Sequence, residues 1–239
     1  MIYPRIIAHR CGGALTPENT LAGLRLAARI GCRGVEFDAM LAADGVPVLI
    51  HDETLERTTS GRGRVADTGS ARLAGLDAGT WHHAAFAVEP LPTLDAALQL
   101  CAALGLWANV EIKPSAGQEA ETGRVVARHA AAATGMLLLS SFSAEALSAA
   151  ASEAPQLARA LLVEAIPADW RERVAESGAL ALHSSARKLT ADAAHAVLSA
   201  GFPLRCYTVN RREDADRLFA MGVSAVFTDR PDLWIPSEM

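Results

Sequence analysis

Residues 6–20 read IIAHRCGGALTPENT, and this stretch sets the expectation for the whole chain. The apolar run at residues 6–8 is typical of a short buried strand, and it ends at His9 and Arg10 just before two glycines. Parallel α/β folds place their chemistry at the carboxyl ends of their strands. A histidine and an arginine at that position therefore predict a phosphate site at the end of the first strand.

The pattern of this first strand recurs along the chain. Short runs rich in Val, Ile and Leu alternate with longer Ala- and Leu-rich segments of helical period, as in repeated βα units around a parallel sheet. Closing about eight such units in the right-handed sense predicts a TIM (β/α)8 barrel, an α/β fold, formed by a single domain of residues 1–239. The candidate barrel strands are residues 5–9, 34–38, 107–113, 136–140, 158–163, 179–183, 204–209 and 225–228.

One interval departs from this rhythm. Residues 52–92 are rich in glycine, show little periodicity and contain Trp81-His82-His83. A loop of this length inside a compact domain is usually functional. We therefore predict an extra short strand at 46–50 and an insertion after the second barrel strand that folds over the mouth of the barrel. Gly61 and Gly63 lack the lysine and hydroxyl residue of a Walker loop.

Two helices have recognisable local signals. Asn210 stands three residues before Glu213, a spacing that resembles a helix N-cap. A further helix is predicted by an apolar stripe at helical spacing, formed by Leu94, Ala97, Leu98, Cys101 and Leu104.

Composition excludes several classes of protein. The chain is 51% hydrophobic, yet it has no uninterrupted apolar run of about 18 residues, so no membrane span is expected. A formal net charge of −5 argues against a sequence-independent nucleic-acid binder. Four cysteines without paired spacing, and the absence of a signal-like N-terminus, predict reduced thiols and a cytoplasmic location.

Acidic residues recur at strand ends. Glu36 and Asp38 lie two residues apart in a predicted strand, so both carboxylates project to the same face. Glu111 and Lys113 repeat this spacing at the end of the next barrel strand. Three carboxylates from two strands could hold a hard divalent cation. The alternative for each one is an ion pair or a solvated position at a strand end.

A second histidine also follows a strand. His51 comes directly after the apolar residues 47–50 and precedes Asp52. A lone histidine is more often structural than catalytic, but His9 and His51 on either side of a bound phosphate would supply a general acid and a general base near neutral pH.

Nine ordered segments, spread almost from end to end, together resemble the glycerophosphodiester phosphodiesterase family, and most closely its bacterial cytoplasmic members. These segments are AHR (8–10), PENT (17–20), EFD (36–38), DG (44–45), HDETLERTT (51–59), EIK (111–113), SFS (141–143), TVN (208–210) and TDRP (228–231). The resemblance implies a TIM barrel with a small insertion after the second barrel strand. It also implies hydrolysis of a small-molecule glycerophosphodiester to sn-glycerol 3-phosphate and an alcohol, with Mg²⁺ or Ca²⁺ as cofactor.

The resemblance further implies a role for nine residues. They are the metal ligands Glu36, Asp38 and Glu111, the acid–base pair His9 and His51, the phosphate contacts Arg10 and Lys113, and the pocket-lining Phe142 and Tyr207. Glu18, Asn19 and Asp52 are expected to hold these groups in place, and Asp229 to cap the last strand.

The chain departs from the family pattern at two positions. Tyr207 stands where many relatives have tryptophan, and Cys11 stands where the pattern has glycine after His-Arg. A positive φ at position 11 would cost about 1 kcal/mol or more for any residue with a Cβ, and the following glycines could absorb the strain. The alternative role for Cys11 is a catalytic thiolate beside Arg10.

Two other functions fit the same pattern. One is a metal-independent phosphodiesterase of the inositol phospholipase type, which would place a basic group where the cation sits. The other is a barrel that binds a phosphate ester without turnover. Retention of both histidines and all three carboxylates argues against the second.

Overall fold

The computed structural model describes residues 3–234, in which eight parallel strands close into a ring. The ring order is β1, β2, β4, β5, β6, β7, β8, β9, and β3 pairs antiparallel with β2 outside the ring. The predicted TIM barrel with an extra strand is therefore confirmed. The strands are β1 (Ile6–Ala8), β2 (Gly34–Leu41), β3 (Pro47–Leu49), β4 (Trp107–Ile112), β5 (Leu137–Ser141), β6 (Arg159–Val163), β7 (Ala181–Ser185), β8 (Leu204–Tyr207) and β9 (Ala225–Thr228).

Helices follow the strands around the outside of the ring, and several begin at a residue suited to capping. The side chains of Thr20, Thr93, Ser143 and Thr190 each accept a hydrogen bond from a backbone N–H in the first turn. The helices are α1 (Leu21–Arg29), α2 (Ser70–Leu73), α3 (Leu94–Leu104), α4 (Glu119–Ala132), α5 (Ala144–Glu153), α6 (Trp170–Ser177), α7 (Ala191–Ser199) and α8 (Arg212–Ala220).

The predicted stripe on α3 is confirmed except at its last member. Leu94, Ala97, Leu98 and Cys101 are all buried in the core between the helices and the sheet. Leu104 is 37% exposed because it is the last residue of the helix, followed by Gly105 in the left-handed conformation.

The insertion after the second barrel strand has a small core of its own. Between β3 and α3 the chain forms two single-turn 3₁₀ helices, Val65–Asp67 and Ala84–Phe86, and the short helix α2. Apolar side chains of the insertion pack with β2 and β3 in a separate cluster that includes Met40, Val48, Ile50, Leu55, Val65, Leu73 and Leu91. A polar residue of the insertion, Arg57, reaches Glu18 at the barrel mouth.

Some local predictions differ from the structure. Strand β7 begins two residues later than predicted, and β8 ends at Tyr207 rather than at 209. Asn210 is not the N-cap of α8, which begins after Arg211. The Asn210 side chain instead accepts a hydrogen bond from the backbone N–H of Asp229, at 2.8 Å, because the end of β9 lies beside it. The outermost residues of the predicted 1–239 domain, 1–2 and 235–239, lie outside the described residues.

No helix within residues 3–234 is long and apolar enough to cross a membrane.

Candidate active site

Three carboxylates converge inside the mouth of the barrel because of strand register. Asp38 on β2 pairs with Glu111 on β4, and Glu36 lies two residues earlier on β2, so all three side chains face the interior. Carboxylate oxygens of the three residues lie within 4.8 Å of one another. The structure thus brings together the three residues that the sequence predicts as metal ligands.

Burial makes this cluster unfavourable without a counter-charge. Burial and the charge of Asp38 raise the pKa values of Glu36 and Glu111. Oε1 of Glu36 is buried and has no hydrogen-bond partner within the described chain. Oxygen ligands, negative charge and an unpaired acceptor are what a Mg²⁺ or Ca²⁺ ion requires, so these residues fit such a cation.

His9 lies just beyond β1 and is oriented by a carboxylate from the other end of the chain. Its Nδ1 forms a 2.7 Å hydrogen bond with Asp229 Oδ1, and its Nε2 is 3.9 Å from Glu36 Oε2. Asn210 in turn donates to Asp229 Oδ2 at 2.9 Å. Burial lowers the pKa of His9, but the Asp229 hydrogen bond and the charge of Glu36 outweigh that effect and raise it overall.

His51 is oriented in the same way from a neighbouring residue. Its Nδ1 forms a 2.7 Å hydrogen bond with Asp52 Oδ1. Burial lowers the pKa of His51, and the positive charges of Arg10 and Lys113 add to that effect against the charge of Asp38. In both histidines a carboxylate at Nδ1 leaves Nε2 free for a ligand in the cavity.

The insertion contributes Arg57, which bonds to the carboxylates that support His51 and Arg10. Arg57 donates to Asp52, the partner of His51, and also to both oxygens of Glu18, each at 2.8 Å. Glu18 then accepts from Arg10 Nη1 at 3.0 Å. Glu18 and Asp52 thus contact Arg10 and His51, the groups that they are predicted to hold in place.

Arg10 and Lys113 place two cations beside the carboxylates. Arg10 Nε is 3.7 Å from Asp38 Oδ2, while Lys113 Nζ is 3.5 Å from Glu111 Oε1 and 3.9 Å from Asp38 Oδ1. Asn19 also holds the Asp38 carboxylate, since its Nδ2 donates to Asp38 Oδ2 at 2.8 Å. Two cations beside three carboxylates leave the cluster formally negative when all three carboxylates are ionised.

The histidines, cations and carboxylates described above line one cavity of about 190 Å³, whose remaining wall combines aromatic and aliphatic side chains with a few polar ones. Phe142 and Tyr207 meet edge to face with ring centroids 6.0 Å apart, and Leu162 and Phe227 extend the apolar surface. The volume is below the range of about 300–1,000 Å³ that is usual for drug-sized ligands. The cavity therefore suits a small phosphate ester with its charged part at one wall.

Cys11 lies behind this cavity rather than in it. It is fully buried and has a φ of 75°, so the expected positive φ is present although the residue carries a Cβ. Burial, with the nearby charges of Glu36 and Asp38, raises the pKa of the Cys11 thiol well above its ordinary value. A neutral, enclosed thiol is unsuited to nucleophilic attack, which disfavours the thiolate alternative.

Replacing Cys11 by alanine is expected to leave kcat unchanged and to lower the free energy of unfolding by about 1 kcal/mol, because a buried sulfur is lost. Steady-state assays and urea unfolding measure the two quantities. A large loss of kcat in a variant with an intact fold would instead assign chemistry to the thiol.

Several residues complete the site without being among the predicted site residues. Asp229 is predicted only to cap the last strand, although its position after β9 is where site residues are found in parallel folds. Asn109 and His183 also line the cavity. Asn109 lies two residues before Glu111, so the period of a strand could have placed it on the same face. No strand or helix period indicates Arg57, whose ion pair with Glu18 joins residues 39 positions apart.

Comparison with known proteins extends over almost the whole chain. Residues 9–233 match the model of the glycerophosphoryl diester phosphodiesterase family. A glycerophosphodiester phosphodiesterase of Caldanaerobacter subterraneus subsp. tengcongensis is 31% identical over 234 residues, which cover 96% of each chain.

Solved structures agree with this match. A phosphodiesterase of Oleispira antarctica, solved in complex with the product sn-glycerol-3-phosphate, superposes with a TM-score of 0.93 at 37% identity and covers 96% of this chain and 94% of its own. A glycerophosphodiester phosphodiesterase of Agrobacterium tumefaciens gives a TM-score of 0.76 at 28% identity, covering 98% and 99% of the two chains.

Proposed function

Because this chain belongs to the glycerophosphoryl diester phosphodiesterase family, we propose that it hydrolyses glycerophosphodiesters to sn-glycerol 3-phosphate and an alcohol. The observation that carries the proposal is the convergence of two carboxylate-oriented histidines, two cations and three carboxylates on one small cavity. The Oleispira relative, whose structure holds sn-glycerol-3-phosphate, supports the same product.

Arg10 and Lys113 bind the phosphate. The guanidinium presents a planar fork of donors to two oxygens, whereas the ammonium acts as a point charge on another. Arg10 is held for this task by Glu18, at 3.0 Å, and is partly buried. The two cations lie at the same wall as the carboxylates, which directs the uncharged part of the substrate towards Phe142 and Tyr207.

Glu36, Asp38 and Glu111 would hold the divalent cation. When bound, such an ion neutralises charge that develops on the phosphoryl oxygens. Neighbouring residues hold these carboxylates in position. Asn19 and Arg10 contact the Asp38 carboxylate, and the backbone N–H of Arg10 donates to Glu36 Oε2 at 2.9 Å.

His9 and His51 move the protons. One imidazole accepts the proton of the attacking hydroxyl at Nε2, and the other donates a proton to the oxygen of the departing alcohol. Asp229 and Asp52 keep each ring in the required tautomer and stabilise it when it is protonated. The same pair of histidines can serve two routes. In one route, water attacks the phosphorus directly. In the other, the glycerol 2-hydroxyl attacks first, and water then opens the cyclic phosphate with the roles of the two histidines exchanged.

The proposal is tested by measuring release of glycerol 3-phosphate from a panel of glycerophosphodiesters with choline, ethanolamine, glycerol and inositol head groups. Each assay is run after chelation and again after addition of Mg²⁺ or Ca²⁺. We expect release only with added cation. Release that is unchanged by chelation would favour the metal-independent type of phosphodiesterase, and binding without release would favour the non-catalytic barrel.

Replacing Asp229 by alanine is expected to lower kcat by about 10- to 100-fold, because His9 loses the carboxylate that orients its ring. KM should change less, since Asp229 is not among the residues that line the cavity. Asp232→Ala is the matched control: this carboxylate lies three residues later and pairs with Arg230 at 2.8 Å. Equal kcat values for the two variants would show that Asp229 does not act through His9.

The cytoplasmic location stays a prediction. All four cysteines are unpaired and buried, and free thiols are typical of proteins in reducing compartments.

A further inference from the structure

Across the ring from the carboxylates, the barrel interior contains a buried arginine that bonds to a histidine. Strands β7 and β8 pair His183 with Arg205, so both side chains face the interior at the same level. His183 is 1% exposed and Arg205 is 2% exposed. Arg205 Nη1 lies 3.1 Å from His183 Nε2, and no carboxylate within residues 3–234 forms an ion pair with this guanidinium.

This contact determines which nitrogen of His183 carries the proton. A guanidinium has donors and no acceptor, so the Nε2 atom that faces Arg205 must be the unprotonated one. The proton of the neutral ring is then on Nδ1. Burial and the charge of Arg205 hold the pKa of His183 well below its ordinary value, which agrees with a neutral ring.

His183 therefore brings a fixed donor to the apolar part of the cavity. Its neighbours in that wall include Phe142, Leu162 and Phe227, which offer no polar side-chain group, and Thr208, which brings a hydroxyl. The Tyr207 hydroxyl is already engaged, since it donates to the Val163 carbonyl at 2.9 Å. Among the hydrogen bonds of the described residues, none uses His183 Nδ1.

An unpaired acceptor lines the same cavity. Asn109 is 1% exposed, and its Nδ2 donates to Ser140 Oγ at 2.8 Å. Its Oδ1 is buried without a hydrogen-bond partner in the part of the chain that the structure describes. A buried carbonyl oxygen left unpaired is costly, so its presence beside a cavity indicates a ligand that donates to it.

We propose that His183 and Asn109 bind the hydroxyl groups of the substrate's glycerol moiety, with His183 donating through Nδ1–H and Asn109 accepting through Oδ1, while Arg205 fixes the His183 tautomer. A hydroxyl both donates and accepts, so it matches this pair. The charged groups hold the phosphate at the wall of β2 and β4. The uncharged remainder then faces β7 and β8, where a buried hydroxyl requires partners.

This proposal rests on the proposed function, but its test is a binding measurement that does not require turnover. The full chain is titrated calorimetrically, in buffer with saturating Mg²⁺, with sn-glycerol 3-phosphate and with n-propyl phosphate. The two ligands share a three-carbon chain and a phosphate and differ only in the hydroxyls. The wild-type protein should bind sn-glycerol 3-phosphate about tenfold more tightly or better, as expected for two hydrogen bonds.

Two substitutions at position 183 isolate the donor. His183→Leu keeps an apolar side chain without a donor, and should bring the ratio of the two dissociation constants close to one. His183→Asn places an amide N–H near the position of Nδ1, and should retain most of the wild-type ratio. Both variants should bind n-propyl phosphate as the wild type does.

A wild-type ratio in a folded His183→Leu variant would overturn the proposal. If that variant does not fold, Asn109→Leu decides in its place, since loss of the acceptor should also reduce the ratio. Arg205→Leu should reduce the ratio and Arg205→Lys should restore it, because only lysine can still donate to Nε2. A wild-type protein that prefers sn-glycerol 3-phosphate but hydrolyses no glycerophosphodiester would refute the proposed function and leave this site standing.

Discussion

His9→Ala and His51→Ala each lower kcat for glycerophosphodiester hydrolysis by about 10²- to 10⁴-fold, the usual contribution of one general acid or base. The reaction needs one proton removed from the attacking hydroxyl and one delivered to the departing alcohol, so neither histidine can replace the other. Each ring has its Nδ1 bonded to a carboxylate at 2.7 Å and its Nε2 free. We expect the fold and cation binding to remain, because neither imidazole lies in the apolar core.

Steady-state kinetics with saturating cation measure this effect, and a thermal melt checks the fold of each variant. His195→Ala is the matched control, since His195 is exposed on α7 and its ring forms a hydrogen bond with the neighbouring Ser199, away from the cavity. A kcat close to the wild-type value in either the His9 or the His51 variant would refute the assignment of that residue.

Removal of the divalent cation should lower activity by a comparable factor. Chelation is expected to lower kcat/KM by about 10³-fold or more, because a cation at a phosphoryl group contributes several kcal/mol to transition-state stabilisation. Mg²⁺ or Ca²⁺ should restore the wild type but not Glu36→Gln or Glu111→Gln, which lose a ligand charge. Asp192→Asn, an exposed carboxylate in the first turn of α7, serves as the control.

Stability gives a second measurement of the same site that is independent of turnover. The pKa values of Glu36 and Glu111 are raised in the folded, cation-free protein by burial and by the charge of Asp38. Above the ordinary glutamate pKa of about 4.5, the folded state therefore holds protons that the unfolded state has released. The stability of the chelated protein should fall as the pH rises from that value through the raised folded-state values.

A cation that binds the deprotonated carboxylates should reverse this loss. At a concentration of about 100 times its dissociation constant it adds about 2.7 kcal/mol to the free energy of unfolding, and the gain in melting temperature should be larger at pH 8 than at pH 5.5. Glu36→Gln should flatten the pH dependence of the chelated protein and reduce the response to cation. Equal melting temperatures with and without cation at pH 8 would count against a metal site at these carboxylates.

The three carboxylates illustrate what a local sequence pattern can predict and what it cannot. The period of a strand is enough to place Glu36 and Asp38 on one face, and the same rule applied to residue 109 would have added Asn109. The pattern does not say which face is the interior, nor that Asp38 stands opposite Glu111, because register depends on how two distant strands pair. The eight predicted barrel strands are all present, and the largest displacement of an end is three residues, at β2, which ends at Leu41 rather than at 38.

The (β/α)8 fold, the family and the candidate acid–base and metal residues follow from the order of residues alone, because strand and helix periods and short motifs are local properties of the chain. Which side chains become partners depends on the three-dimensional packing of the strands and loops. His9 meets Asp229 across 220 positions, Arg57 joins Glu18 to Asp52, and Arg205 fixes His183. These contacts arise when the ring closes and the register of its strands brings residues from separate βα units to one level of the barrel.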